Sequence, residues 1–99
     1  MFAIQYHPDV IRRDLKKIDP HLQRRILNQI QKKLTVAPQE YGKPLQYVLK
    51  GYWRLRIEDY RVVYEINSKK ETVTIWLVDQ RKDDMVYIEF LKRLGCSER

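Results

Sequence analysis

Ninety-nine residues allow one domain with a single core, because a chain this short buries only somewhat more than roughly 60% of the surface it exposes when unfolded. A hydrophobic fraction of 43%, with seven Tyr and two Trp, is enough to build that core and excludes a disordered arm. Twenty Lys and Arg against 13 Asp and Glu give a net charge of +7 and a pI near 9.6, the electrostatic footprint expected of a binder of nucleic acid or of an acidic protein, though charge alone fits a generically soluble basic protein as well.

Phe2, Ile4 and Tyr6 alternate with Ala3 and Gln5, which predicts a short edge or near-edge strand ended by His7-Pro8, since proline turns the preceding residue away from helix. Asp9 is placed to cap a first helix with Val10, Ile11, Leu15 and Ile18 on its apolar side. Asp19-Pro20 restarts the helix, and Leu22, Ile26, Ile30 and Leu34 form a stripe that stops by Pro38, so the two segments read as a helical hairpin. Residues 38–51, with two prolines and two glycines among polar residues, read as a loop.

Three strands follow at Tyr52–Ile57, Tyr60–Ile66 and Thr72–Val78, joined by Glu58-Asp59 and by Asn67–Glu71, which predicts an antiparallel meander. Asp83 or Asp84 can cap a last helix whose stripe is Val86, Phe90, Leu91 and Leu94, with Gly95 as its stop and 94–99 as a flexible tail. The expected fold is α+β, a single domain over residues 1–99 of order β-α-α-β-β-β-α. Its antiparallel sheet would carry the helical hairpin on one face and the last helix near the other.

The two-residue turn at Glu58-Asp59 fixes a register in which Ile57 faces Tyr60, Leu55 faces Val62 and Trp53 faces Tyr64. These residues, extended by Ile66, Val73, Ile75 and Leu77, form one apolar face. The other face carries Tyr52, Arg54, Arg56 and Glu58 beside Arg61, Val63 and Glu65, with Trp76 and Val78 further along under the last helix. Arg56 opposes Arg61, and like charges in that relation are destabilising. Either Glu58 and Glu65 balance these cations into a solvated surface, or the guanidiniums serve an anionic ligand such as a phosphodiester.

The single Cys96 leaves no partner for an intramolecular disulfide, and no Cys-rich metal site is present. The opening MFAIQYHPDV lacks the basic region and apolar stretch of a secretory signal, and no run is long enough to span a bilayer. The expectation is a soluble, cytoplasmic protein that engages no membrane. Paired catalytic carboxylates, Gly-rich phosphate loops and metal-ligand spacings are missing, so neither a metal nor another cofactor is expected. His7 and His21 fall at helix starts and read as capping or surface residues.

The run Gly51-Tyr-Trp-Arg-Leu-Arg-Ile-Glu-Asp-Tyr-Arg-Val-Val-Tyr64, preceded by Leu49-Lys50 and followed by Arg81 and Tyr87, resembles the RelE/ParE toxin superfamily of type II toxin-antitoxin systems over nearly the whole chain. The resemblance implies a RelE-like, metal-independent endoribonuclease that cleaves messenger RNA in the ribosomal A site and so inhibits translation. Arg61, Arg81 and Tyr87 would be catalytic, and Arg54, Arg56, Lys50 and Lys82 would bind phosphate. Tyr87 would act as general base toward the 2′-hydroxyl. An unperturbed Tyr titrates near 10, so that role needs neighbouring cations.

Arg61 would stabilise transition-state charge. Arg81 would serve the leaving group, as a hydrogen-bond donor or as the formal acid. The sequence departs from the family in carrying Arg where Lys is usual at positions 54 and 56, and Glu58 where Gly is common. The resemblance also implies an acidic RelB-like antitoxin, a monomeric free toxin and an oligomeric complex. A ParE-like toxin that poisons DNA gyrase without cutting RNA, and an inactive relative that only binds an antitoxin, stay open.

Overall fold

Asp19 and Pro20 start the long helix as their chemistry dictates. The Asp19 carboxylate accepts the N–H of His21 at 3.0 Å, and Pro20 occupies the first turn, where no donor is needed. In the computed structural model, which describes residues 1–80 and 82–97, the chain order is β1 (Ala3–Tyr6), a helical segment (Val10–Asp14 and Leu15–Lys17), α1 (Pro20–Leu34), α2 (Pro38–Tyr41), β2 (Lys43–Pro44), β3 (Tyr52–Ile57), β4 (Tyr60–Asn67), β5 (Thr72–Asp79) and α3 (Asp83–Ser97). This is the mixed helix and strand domain expected.

The strands form one sheet of order β1-β5-β4-β3-β2. Between β3 and β4 the register is the one the turn dictates, with Ile57 opposite Tyr60, Leu55 opposite Val62, Trp53 opposite Tyr64 and Arg56 opposite Arg61. The expected antiparallel arrangement holds from β2 to β5, whereas β1 lies parallel to β5 at the edge. A parallel neighbour needs a crossover rather than a hairpin, and the helical residues after β1 lead into it.

One face of the sheet buries Leu55, Ile57, Val62, Tyr64, Val73 and Ile75 against Ile26, Ile30 and Leu34 of α1, with Val10 and Ile18 closing the layer. On the other face Val63 and Leu77 pack beneath Val86 and Phe90 of α3 and beside Leu49.

The second core corrects the expected assignment of Leu77 and Val78. Val63 pairs with Leu77 but Tyr64 pairs with Ile75, so Trp76 is an inserted residue. Past this bulge the alternation inverts, sending Leu77 under α3 and Val78 into the core under α1. Side chains take up the backbone groups that the irregularity frees. Val78 N–H donates to Asp14 Oδ2 at 2.9 Å, and the Trp76 carbonyl accepts from Arg93 Nη1 at 2.8 Å.

The first helix is also not the regular, Asp9-capped one expected. Val10–Asp14 is a single π-helical turn and Leu15–Lys17 a 3₁₀ turn, and Asp9 makes no side-chain cap. The widened turn lets buried Asp14 reach Arg93, while Ile11 of the expected stripe is left exposed. His7 Nδ1 accepts the Asp9 N–H at 3.1 Å, which is the helix-start role expected of it, and its ring stacks on Trp76 at 4.8 Å.

Residues 38–51 hold α2, the two-residue β2 and a 3₁₀ turn (Tyr47–Leu49) where a loop was expected, β2 because Lys43 and Pro44 find pairing partners on β3 that local composition does not reveal. In α3 the helix runs past the expected stop at Gly95 to Ser97. Leu91 is exposed there and Arg93 is buried, because the carboxylate of Asp14 rather than apolar surface lies on the inner side of this turn. Asp83 and Asp84 fall within the first turn of α3 rather than before it.

Tyr64 ties α2 to the sheet, donating its hydroxyl to the Pro38 carbonyl at 2.7 Å beneath Gly42, where any Cβ would collide with Tyr64 Oη. Burial pushes the Tyr64 phenol above its ordinary value of 10. A group raised in the folded state contributes stability that is complete below its unfolded pKa and is lost as pH rises toward the folded one. Above about pH 10 wild-type stability therefore falls by up to about 1.4 kcal/mol per pH unit more steeply than that of Tyr64→Phe. Urea unfolding from pH 9 to 11.5 measures the difference, and parallel slopes would refute it.

Candidate nucleic-acid interface

Alternation puts Tyr52, Arg54 and Arg56 of β3 on the face away from α1, and the register sets them beside Arg61, Val63 and Glu65 of β4. The cross-strand rows are Lys43–Arg54–Val63–Leu77 and, next to it, Arg56–Arg61–Asp79. Residues directly opposed in such rows have Cβ atoms about 4.5–5.5 Å apart, so Lys43, Arg54, Arg56 and Arg61 form one cationic patch. Arg54 and Arg61 are half-buried and Arg56 is exposed.

The carboxylates that could have balanced the patch point elsewhere. Glu58 has a left-handed backbone (φ +53°) and turns to α1, taking Arg25 Nε at 3.1 Å and Nη2 at 3.0 Å. That bidentate bond holds the Glu58 carboxyl below the usual carboxylate range. Arg56 instead donates its Nε–H to the Glu58 carbonyl at 3.2 Å. Glu65 accepts Trp76 Nε1–H at 3.3 Å. Asp79 remains on the patch, cross-strand from Arg61, whose Nη1 also reaches the Asp59 carbonyl at 3.4 Å.

Of the other residues predicted for the site, Tyr87 is half-buried on α3 and packs against the cluster of Leu49, Val63, Leu77, Val86 and Phe90. Val63 and Leu77 continue the row of Arg54, so the tyrosine and the guanidinium border the same strip of sheet. Lys50 is exposed in the turn between β2 and β3, and Lys82 is exposed just before α3, its carbonyl accepting from Val86 N–H at 2.9 Å. Arg81 lies outside the described residues. Lys43 is the cation that sequence reasoning passed over, because its place on the patch depends on a two-residue strand inside an apparent loop.

Among the described residues no three His, Cys, Asp or Glu side chains gather as a metal-ligating group, and no helix is long and apolar enough to cross a membrane. The arrangement can hold a phosphodiester in several guanidinium forks next to a phenol.

The profile of the ParE toxin of the type II toxin-antitoxin system parDE matches residues 4–85 of this chain. Toxin RelG of Mycobacterium tuberculosis is 36% identical over 72 residues, which is 73% of this chain and 83% of that protein. Among solved structures, a chain of the toxin-antitoxin complex RelBE2 from Mycobacterium tuberculosis is similar with a TM-score of 0.75 and 31% identity over 81% of this chain and 98% of its own. The free E. coli toxin RelE, in a mutant form, is similar in fold, with a TM-score of 0.71 at 17% identity over 93% of this chain and 96% of its own.

Proposed function

Because the chain belongs to the RelE/ParE family of type II toxin-antitoxin toxins, we propose that it is the RelE-like member of its module, a ribosome-dependent endonuclease of messenger RNA. The observation that carries this reading is the patch of Lys43, Arg54, Arg56 and Arg61, from which Glu58 and Glu65 are drawn away and which Tyr87 borders. A sheet that opposes Arg56 to Arg61 gives up stability, and an anion recovers it.

In the proposed reaction the 2′-oxygen attacks the adjacent phosphorus and the 5′-oxygen leaves, giving a 2′,3′-cyclic phosphate and a 5′-hydroxyl. Tyr87 takes the 2′-proton, with the cations of the patch favouring its phenolate. Arg54 and Arg56 hold the non-bridging oxygens, and Arg61 meets the charge that develops on the phosphorane. Arg81 donates a hydrogen bond to the departing 5′-oxygen, which takes its proton from solvent water to become the 5′-hydroxyl, since a guanidinium is a poor acid near neutrality. Lys50 and Lys82 serve neighbouring phosphates. A net charge of +7 suits an acidic RelB-type antitoxin as partner, and the solved relatives include the RelBE2 complex.

A second reading, a toxin that poisons DNA gyrase, is favoured by the ParE description of the matching profile. Primer extension on a translated messenger, with supercoiling assayed alongside, separates the two. Induction of wild-type protein is expected to produce cuts within codons, and an Arg81→Ala, Tyr87→Phe double variant is expected to produce none. An intact messenger with blocked supercoiling would transfer the chain to the second reading.

A further inference from the structure

We infer that Tyr47 is a nucleobase-stacking residue, holding a base that flanks the scissile phosphate; this deepens the ribonuclease reading and rests on it. Tyr47 is 90% exposed and Val48 79% exposed, at the tip of the turn between β2 and β3. The Tyr47 backbone is left-handed (φ +58°), a conformation that is strained for a bulky side chain.

The turn nevertheless keeps this geometry through several contacts. Leu45 N–H donates to the Tyr52 carbonyl at 2.9 Å, Leu49 N–H to Gln46 at 3.1 Å and Lys50 N–H to Tyr47 at 3.1 Å, while Gly51 supplies the positive φ (+102°) that leads into β3. Leu49 anchors the turn in the core beneath α3, against which Tyr87 also packs. The ring of Tyr47 is therefore an outward aromatic on a braced turn, fixed to the same core as the proposed base.

Cations surround it in the sequence and the sheet. Lys43 precedes the turn and pairs with Arg54, and Lys50 closes it, so a strand of RNA whose phosphates follow these residues carries a base past Tyr47. Stacking on an aromatic suits this place because every base has a π-face and because the ring loses little freedom when its backbone is already fixed.

The test is single-turnover cleavage of a messenger on programmed ribosomes, with wild-type protein, Tyr47→Phe and Tyr47→Gly. The glycine variant removes the ring and relieves the positive φ, and thermal melting checks that it is folded. Tyr47→Gly is expected to lower kcat/KM about five- to hundredfold, with Tyr47→Phe near wild type. A messenger with an abasic nucleotide beside the cut is expected to slow wild-type protein similarly and to add little to the glycine variant. Wild-type rates from folded Tyr47→Gly would overturn the inference and leave the ribonuclease reading intact. If the wild-type protein cuts nothing, both fall. Unchanged cleavage with lost gyrase inhibition would assign the turn to a protein partner and overturn it as well.

Discussion

Arg93→Met is expected to destabilise the domain by about 3–5 kcal/mol, because it leaves the Asp14 carboxylate buried without its counter-ion. The Arg93 fork places Nη1 at 2.8 Å from Asp14 Oδ2 and Nη2 at 3.0 Å from Oδ1, and Nη1 also bonds the Trp76 carbonyl. Asp14 in turn accepts Val78 N–H. Both residues are almost fully buried, at 5% and 6% exposure, so a missing partner leaves a largely desolvated charge. For a domain of 99 residues, with a total stability of about 5–15 kcal/mol, the loss is about a fifth or more, and roughly 4–8 °C of melting temperature follow each kcal/mol.

The double variant Asp14→Leu, Arg93→Met recovers part of the loss by removing both charges. It recovers less than the whole, since Val78 N–H and the Trp76 carbonyl each forfeit a partner at about 1–3 kcal/mol. Chemical denaturation of Asp14→Leu, Arg93→Met, the double variant and wild type closes the cycle. An Arg93→Met protein within about 1 kcal/mol of wild type would show that the network does not hold α3 on the sheet.

That network was the least legible part of the sequence. Arg93 falls outside the apolar stripe of the last helix, and the acid it needs lies 79 residues earlier, in a π-helical turn that periodicity assigns to an ordinary helix. The bulge was hidden for a related reason. Ile75-Trp76-Leu77-Val78 is a continuous apolar run with no alternation to contradict, so it accepts either register, and the backbone partners supplied by Asp14 and Arg93 select the one observed.

Where local chemistry did determine the outcome, the reading was direct. Asp19-Pro20 has one sensible place in a helix, and a two-residue turn at Glu58-Asp59 permits a single pairing of β3 with β4. From that pairing the shared face of Arg54, Arg56 and Arg61 follows by counting. What counting does not give is the behaviour of the acids. Counting places Glu58 in the turn and Glu65 on β4 where they would neutralise the patch, and the approach of α1 with Arg25, and of Trp76 at the bulge, shows them committed elsewhere.

If the chain is the ribonuclease proposed, Arg61→Ala is expected to have the largest effect within the cationic patch, lowering the single-turnover rate of messenger cleavage on programmed ribosomes about 10²–10³-fold. Arg56 is exposed and already bonded to a backbone carbonyl, so its charge acts through water. Arg61 is half-buried, with Arg56 and Asp79 as its cross-strand neighbours, so its guanidinium is less exposed to water than that of Arg56. Fixed donors in a site partly shielded from water stabilise developing charge without reorganising, whereas mobile ones do not. Arg61→Lys keeps the charge but loses the planar fork, so it is expected to restore only part of the rate. Arg54→Ala should act differently, raising the half-saturating toxin concentration and lowering the salt dependence of binding by about one phosphate contact. If Arg61→Ala cleaves at the wild-type rate while Arg54→Ala binds normally, the cationic face is not where the messenger is cut.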